Sequence, residues 1–281
     1  MPGRWTQRVG FALLTAAAAL VVVPIVALAG YIVWRGAGAI SLEFLLQAPR
    51  NGLRAGGIFP AAVGTVILTL GTAVAALPLG IGAAIYLAEY ARDDALTRLI
   101  RMAIINLAGI PSVVYGLFGL GLFVLFLRLG TSIIAGSLTL GLLTLPVVIS
   151  TAEEAILSVP RAFRIVSVSL GGTRWQTIRH VVLPSALPGI ITGVILGLER
   201  AAGETAPILF TVAAVYLPRL PRSPFDQTMA LPYHLYVVST QVPGMPVAIQ
   251  FGTALVLLAF VLTLNAVATT IRSHFRRRRY W

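Results

Sequence analysis

The chain has 281 residues, of which 58% are hydrophobic and only 11% charged, and its mean hydropathy is +0.91. This excludes an ordinary water-soluble globule: several charge-free runs exceed the ~20 residues that carry a helix across a hydrocarbon core about 30 Å thick. A transmembrane barrel would instead alternate along short strands. The absence of cysteine removes disulfides and thiolate metal sites, and all 21 basic residues are arginine. Without a lysine there is no Walker A loop, so the chain does not hydrolyse ATP itself.

In chain order, no residue is charged from Val9 to Trp34, Ala55 to Ala88, Met102 to Leu127 or Leu129 to Ala152, which predicts four spans. A fifth is predicted from about Pro188 to Tyr216. A sixth runs from about Ala248 to Ile271, after a Pro243-Gly244-Met245-Pro246 break. The expected fold is therefore all-α, a polytopic membrane protein with six transmembrane helices and a single domain over 1–281. Sorted by these spans, fourteen arginines fall on the side of the termini, six fall opposite, and Arg200 lies within a span. By the positive-inside rule both termini are cytoplasmic. The Arg276 to Arg279 run then reads as topology and membrane-lipid contact, not nucleic-acid binding. Arg4 and Arg8 precede an apolar run containing Ala27-Leu28-Ala29, which resembles a signal-peptidase site. The run is long for a signal peptide, and an uncleaved first helix is expected.

The segment from about 153 to 185 is the one long loop of mixed polarity, on the cytoplasmic face. Pro160 suits a first helical turn, Gly171-Gly172 a stop, and Thr173-Arg174-Trp175-Gln176 a capping box. The second helix is expected to end near Leu183, before Pro184. A short helix with Trp175 and flanking arginines suits either a knob docking on another protein or an anchor in lipid headgroups.

The fifth span carries Glu199, Arg200 and Glu204, at about 2.5 to 3.5 kcal/mol each even on lenient insertion scales. At helical spacing Gly189, Gly193, Gly197, Arg200 and Glu204 share one stripe, with the glycines as a close-packing face. Arg200 and Glu204 can neutralise each other at i, i+4, while Glu199 points about 100° away and needs another partner. The pair is either a structural ion pair or part of a translocation path in which Arg200 meets an oxyanion.

Gly171, nine residues, then Val181-Val182-Leu183-Pro184 resembles the cytoplasmic-loop motif of ABC importer permeases. Arg200-Ala-Ala-Gly203-Glu204-Thr205-Ala206-Pro207 resembles the signature of the phosphate-specific transport permeases of the PstA type. Gly109-Ile-Pro111-Ser-Val-Val-Tyr115-Gly116-Leu-Phe-Gly119 and Met229-Ala-Leu-Pro232 are similar to other stretches of that family, over a core of about 60–270. The resemblance implies the type I ABC importer permease fold in the cell inner membrane. It implies a channel subunit for inorganic phosphate, assembled with a homologous second permease subunit, two ATPase subunits and a periplasmic phosphate-binding protein. No cofactor is bound by this chain, and ATP is used by the partner ATPase. Arg200, Glu204 and Thr205 would line the translocation pathway. Gly171, Trp175, Val181, Leu183 and Pro184, with Glu153 and Glu154 upstream, would form the coupling element. Gly109 and Pro111 would allow a broken helix. Two positions depart from the family pattern: Ile165 stands where the loop motif opens on a glutamate, and Glu199 where a small residue is expected.

Other classes remain beside this one. A permease for another oxyanion, such as sulfate or molybdate, is the near alternative. An ATP-independent channel would explain the glycine faces but not the loop. An intramembrane enzyme has thin support, because His180, His234 and His274 are dispersed and no H-E-x-x-H or G-x-S-x-G occurs.

Overall fold

The computed structural model describes residues 4–277, so Arg278 and Arg279 of the basic run lie outside the described residues. Helix α1 (Arg4–Gly36) leads to a short α2 (Leu42–Leu46) and a two-residue antiparallel hairpin, β1 (Pro49–Arg50) and β2 (Ala55–Gly56). Then come α3 (Phe59–Ile85), α4 (Ala95–Ala108), α5 (Ser112–Gly119) and α6 (Ile133–Leu157). The loop helices α7 (Arg161–Ser169) and α8 (Arg174–Thr177) precede α9 (Leu183–Gly203) and α10 (Ala206–Thr211). Finally α11 (Leu231–Thr240) leads into α12 (Val247–Arg277). Among the described residues five helical stretches are long and apolar enough to cross a membrane, and α4 with the helix beginning at α5, bent by 101°, makes a sixth when the pair is counted as one span.

The broken helix that Gly109 and Pro111 allow is present, and three other expectations from the sequence need correcting. The third span is not straight: α4 stops at Gly109 and α5 starts after Pro111, which has no N–H to donate to the Leu107 carbonyl. The Tyr115 hydroxyl donates to that carbonyl instead, at 2.9 Å, as does Ile110 N–H at 3.1 Å. The fifth span does not reach Tyr216, because Glu204 takes an extended conformation (φ −72°, ψ 136°) and the chain restarts as α10. The loop itself is shorter than expected, since α6 continues through Glu153 and Glu154 to Leu157. Its second helix does not end at Leu183: α8 passes through a π turn (Ile178–Val182) into α9, a continuous stretch from Arg174 to Gly203. The widened turn absorbs Pro184, which would otherwise break the regular hydrogen-bond ladder.

Helix α6 is central, with 61% of its most apolar window buried against none for α1. It is flanked by α3 and α9 at distances that only small residues permit. A Cβ at Gly80 would stand 2.7 Å from Val148 Cγ1, and one at Gly189 would stand 2.6 Å from Ala155 Cβ. At Gly193 it would be 2.5 Å from Thr151 Cβ, and at Gly197 3.2 Å from Val148 Cγ2. The three glycines of the sequence stripe thus face α6. Buried hydroxyls on α3 are satisfied within the helix: Thr65, Thr69 and Thr72 each donate to the carbonyl four residues back, at 2.7 to 2.8 Å.

This packing predicts that Gly193→Val, which drives a branched side chain into Thr151, destabilises the protein by about 1 to 3 kcal/mol. Gly82→Val, where nothing lies within 4 Å, serves as the neutral control. Thermal unfolding of the detergent-solubilised protein separates the two.

Candidate functional site

Arg200 lies in the last turn of α9 and Glu204 caps that helix, with Arg200 Nε 3.6 Å from Glu204 Oε1. The arginine side chain is 39% exposed and the glutamate 16%. The pair is long for a charge-assisted hydrogen bond, so the guanidinium keeps donors free for another acceptor. Thr205 is the N-cap of α10, between the two helices, and its carbonyl accepts from Leu209 N–H at 3.1 Å.

Three segments far apart in the sequence converge here. Helix α10 seats on α5 at Gly116, where a Cβ would be 3.0 Å from both Ala206 O and Pro207 Cα. The neighbouring Tyr115 lies within electrostatic reach of Arg200. On the other side Glu204 borders a small void shared with Thr65, Thr69, Ala230 and Pro232, and Leu231 N–H donates to Thr65 Oγ1 at 2.8 Å. Sequence reasoning placed Gly109 to Gly119, Arg200 to Pro207 and Met229 to Pro232 in one family signature; the fold places them in one neighbourhood. Glu199 faces away toward α12, where Asn265 Nδ2 donates to Oε2 at 3.3 Å.

The coupling loop forms a second cluster. Gly171 adopts φ +83°, a conformation that suits glycine and reverses the chain between α7 and α8. Thr173 and Gln176 form the predicted capping box, and Ser167 Oγ lies 2.8 Å from Thr177 Oγ1. Trp175 is 52% exposed, and Gln176, the next residue, lines a groove with Phe163, Leu170, His180 and Val181. Leu183 is half-buried and Pro184 exposed.

The residues that hold this loop were missed in the sequence. Glu89 ends the second charge-free run, and its Oε1 accepts from Arg164 Nε at 3.0 Å and Nη2 at 2.6 Å. Arg164 also donates to Val159 O at 2.6 Å and Ile156 O at 2.9 Å. Arg174 donates to the Glu89 carbonyl and places its guanidinium 5.0 Å from the Tyr90 ring centre. Glu153 pairs with Arg101 at 2.7 Å, on the wall beneath the loop, while Glu154 is exposed on α6. The available signal was scarcity: in a chain with nine acidic residues, one directly after a 34-residue charge-free run has a specific task.

On the opposite side, Asp226 accepts from Arg222 N–H at 2.8 Å and Ser223 N–H at 3.2 Å, which holds its carboxyl below the usual carboxylate range. Its carbonyl accepts from Ile133 N–H at 2.9 Å, fixing that loop to the start of α6. Among the described residues no group of three His, Cys, Asp or Glu side chains could hold a metal ion.

Residues 76–280 match the family model described as "Binding-protein-dependent transport system inner membrane component". The chain is 35% identical to the probable ABC transporter permease protein YqgI of Bacillus subtilis, over 94% of each chain. It is 38% identical to the phosphate transport system permease protein PstA 1 of Mycobacterium tuberculosis, over 80% of this chain and 73% of that one. Among solved structures, the inward-facing MetNI methionine ABC transporter aligns with a TM-score of 0.63 at 16% identity, covering 76% of this chain and 94% of that one. A bacterial ABC transporter for the acidic polysaccharide alginate aligns with a TM-score of 0.59 at 16% identity, over 95% and 96%. At these identities the two structures speak to the fold alone.

Removing the Glu89 carboxylate leaves Arg164 partly buried without its counter-charge, a loss of about 1 to 3 kcal/mol of local anchoring. Glu89→Ala is accordingly expected to speed tryptic cleavage after Arg161, Arg164 and Arg174 several-fold. Glu154→Ala leaves the cleavage rate unchanged.

Proposed function

Since the chain belongs to the binding-protein-dependent inner-membrane transport components and is an ABC importer permease subunit, we propose that its cargo is inorganic phosphate. It forms the channel with a homologous second permease, receives phosphate from a periplasmic binding protein, and is driven by two ATPase subunits. The relatives named as phosphate permeases support the cargo, and the Arg200–Glu204 junction is the observation that carries the reading.

The chemistry follows from the geometry. A phosphate that enters a low-dielectric passage loses hydration, and a guanidinium offers planar donors that replace part of it. Glu204 holds that guanidinium when the passage is empty, so the arginine is never an uncompensated charge at bilayer depth. A phosphate that takes the guanidinium leaves the Glu204 charge unpaired beside the anion, and this repulsion favours passage over tight retention. The break between α9 and α10, walled by α5, lets the junction shift without melting a whole helix.

The exposed Trp175 and the groove lined by Gln176 and His180 on the same loop supply a docking surface for the ATPase subunit. Both termini lie in the cytoplasm, in accord with the arginine distribution. Arg164 links that surface through Glu89 to the π turn (Tyr86–Tyr90) that continues α3, and through the Ile156 and Val159 carbonyls to the end of α6 and the residues just after it, so a force on the loop reaches the helices that wall the junction.

Arg200→Gln removes a charged donor while keeping much of the side-chain volume. Uptake of labelled phosphate is expected to fall roughly 10- to 100-fold, the equivalent of about 1.5 to 3 kcal/mol for a hydrogen bond to a charged group. Transport at the wild-type rate, with the protein present in the membrane at its normal level, contradicts the assignment.

A further inference from the structure

A cleft between α9 and α12 lies outside the junction just described. Thr192, Glu199, Asn265, Thr269 and Arg272 line it together with apolar side chains, around a cavity of about 220 Å³. Among the described residues Glu199 accepts only the 3.3 Å hydrogen bond from Asn265, on Oε2, and its buried Oε1 has no partner. Neither Glu199 nor Arg272 enters an ion pair among the described residues, although both line the same cavity. Arg200 and Glu204, by contrast, lie within ion-pair distance of each other, at 3.6 Å.

A carboxylate and a guanidinium held apart in one cavity set conditions on whatever fills it. An ionised carboxylate accepts hydrogen bonds and cannot donate; a guanidinium donates and cannot accept. Thr192 has its hydroxyl hydrogen engaged by Pro188 O at 2.9 Å, so it too offers only lone pairs. The occupant must therefore present a donor to Glu199 and Thr192 and acceptors to Arg272 and the Thr269 hydroxyl.

A protonated oxyanion does both: its P–OH group donates, and its remaining oxygens accept. A phospholipid headgroup fits poorly, because Arg272 lies nearer the cytoplasmic end of α12 and Glu199 pairs with Asn265 about 10 Å deeper, from seven residues at 1.5 Å each. In a phospholipid the anionic phosphate lies deeper than the donors beyond it, which is the reverse order.

We propose that the α9–α12 cleft is a second binding site, selective for a protonated oxyanion such as hydrogen phosphate, and that Glu199 is the residue that rejects fully ionised oxyanions such as sulfate. Sulfate at neutral pH has no proton, so all its oxygens are acceptors facing an acceptor-only carboxylate. Glu199 and Arg272 cancel in charge, so binding is weak and selectivity comes from hydrogen bonding. The C-terminal end of α12 is inward-facing by the arginine distribution, so the site samples the anion after passage. The choice of phosphate rests on the function proposed above; the discrimination between protonated and ionised anions does not.

The test uses the full-length chain in nanodiscs, with labelled orthophosphate as probe and sulfate as competitor. An Arg200→Gln background removes the junction as a competing site. In that background phosphate binding is expected to persist, with sulfate competing at least about tenfold less well. Adding Glu199→Gln, which supplies an amide donor, brings sulfate close to phosphate. Arg272→Gln abolishes binding of both, and Arg272→Lys, which keeps the charge, retains it. Absence of phosphate binding in the Arg200→Gln background, an unchanged selectivity ratio in Glu199→Gln, or intact binding in Arg272→Gln overturns the proposal. Failure of phosphate uptake by the wild-type importer would strike the proposed cargo and leave the cleft's selectivity standing as a separate result.

Discussion

A helix that ends inside hydrocarbon leaves carbonyls and N–H groups with no water to receive them, and this constraint decides where the chain is able to break. At both interior breaks protein groups take up freed backbone groups, although Leu107, Ala108, Gly109, Pro111 and Gly203 are themselves exposed. At the α4–α5 bend the Leu107 carbonyl is taken by Tyr115 and Ile110. At the α9–α10 break Ala201 O accepts from Glu204 N–H at 3.3 Å, and the end of α10 is closed by Ser132 N–H donating to Thr211 O at 2.9 Å. The breaks are seated on each other through Gly116 and Pro207, so each supplies part of the wall that the other requires.

The same constraint explains the arrangement of charge. Arg200 is tolerated because Glu204 follows at the helix end, Arg164 because Glu89 faces it, and Arg101 because Glu153 lies across from it on α6. Two of these pairs sit where α3, α4 and α6 emerge toward the loop, and the third sits at the opposite end of α9. The rigid elements between them are α6 and its glycine-spaced contacts with α3 and α9. Movement imposed on the loop has a continuous packed route to the junction, and the two ends need share no residue.

Much of this was legible in the sequence because the signals were local. Charge-free runs gave the spans, helical spacing placed Gly189, Gly193 and Gly197 on one face, and the Thr173 to Gln176 pattern gave the capping box. The errors came from non-local compensation. Gly109 and Pro111 permit a break, yet the 101° bend also depends on Tyr115 returning to Leu107 and on α10 filling the concavity at Gly116. Pro184 looked like a stop because a proline ends a regular α-helix, and the π turn that carries the helix past it has no sequence signature. Glu89 was overlooked as a loop anchor because its partner Arg164 lies 75 positions away.

Thr205, between the two half-helices, is the residue we propose borders the path of the transported anion. The natural absence of cysteine makes this directly measurable. In the assembled importer, Thr205→Cys is expected to react with a water-soluble thiol reagent, and phosphate is expected to slow that reaction. A thiol at this position that is inert to the reagent, or that reacts at the same rate with and without phosphate, contradicts the account.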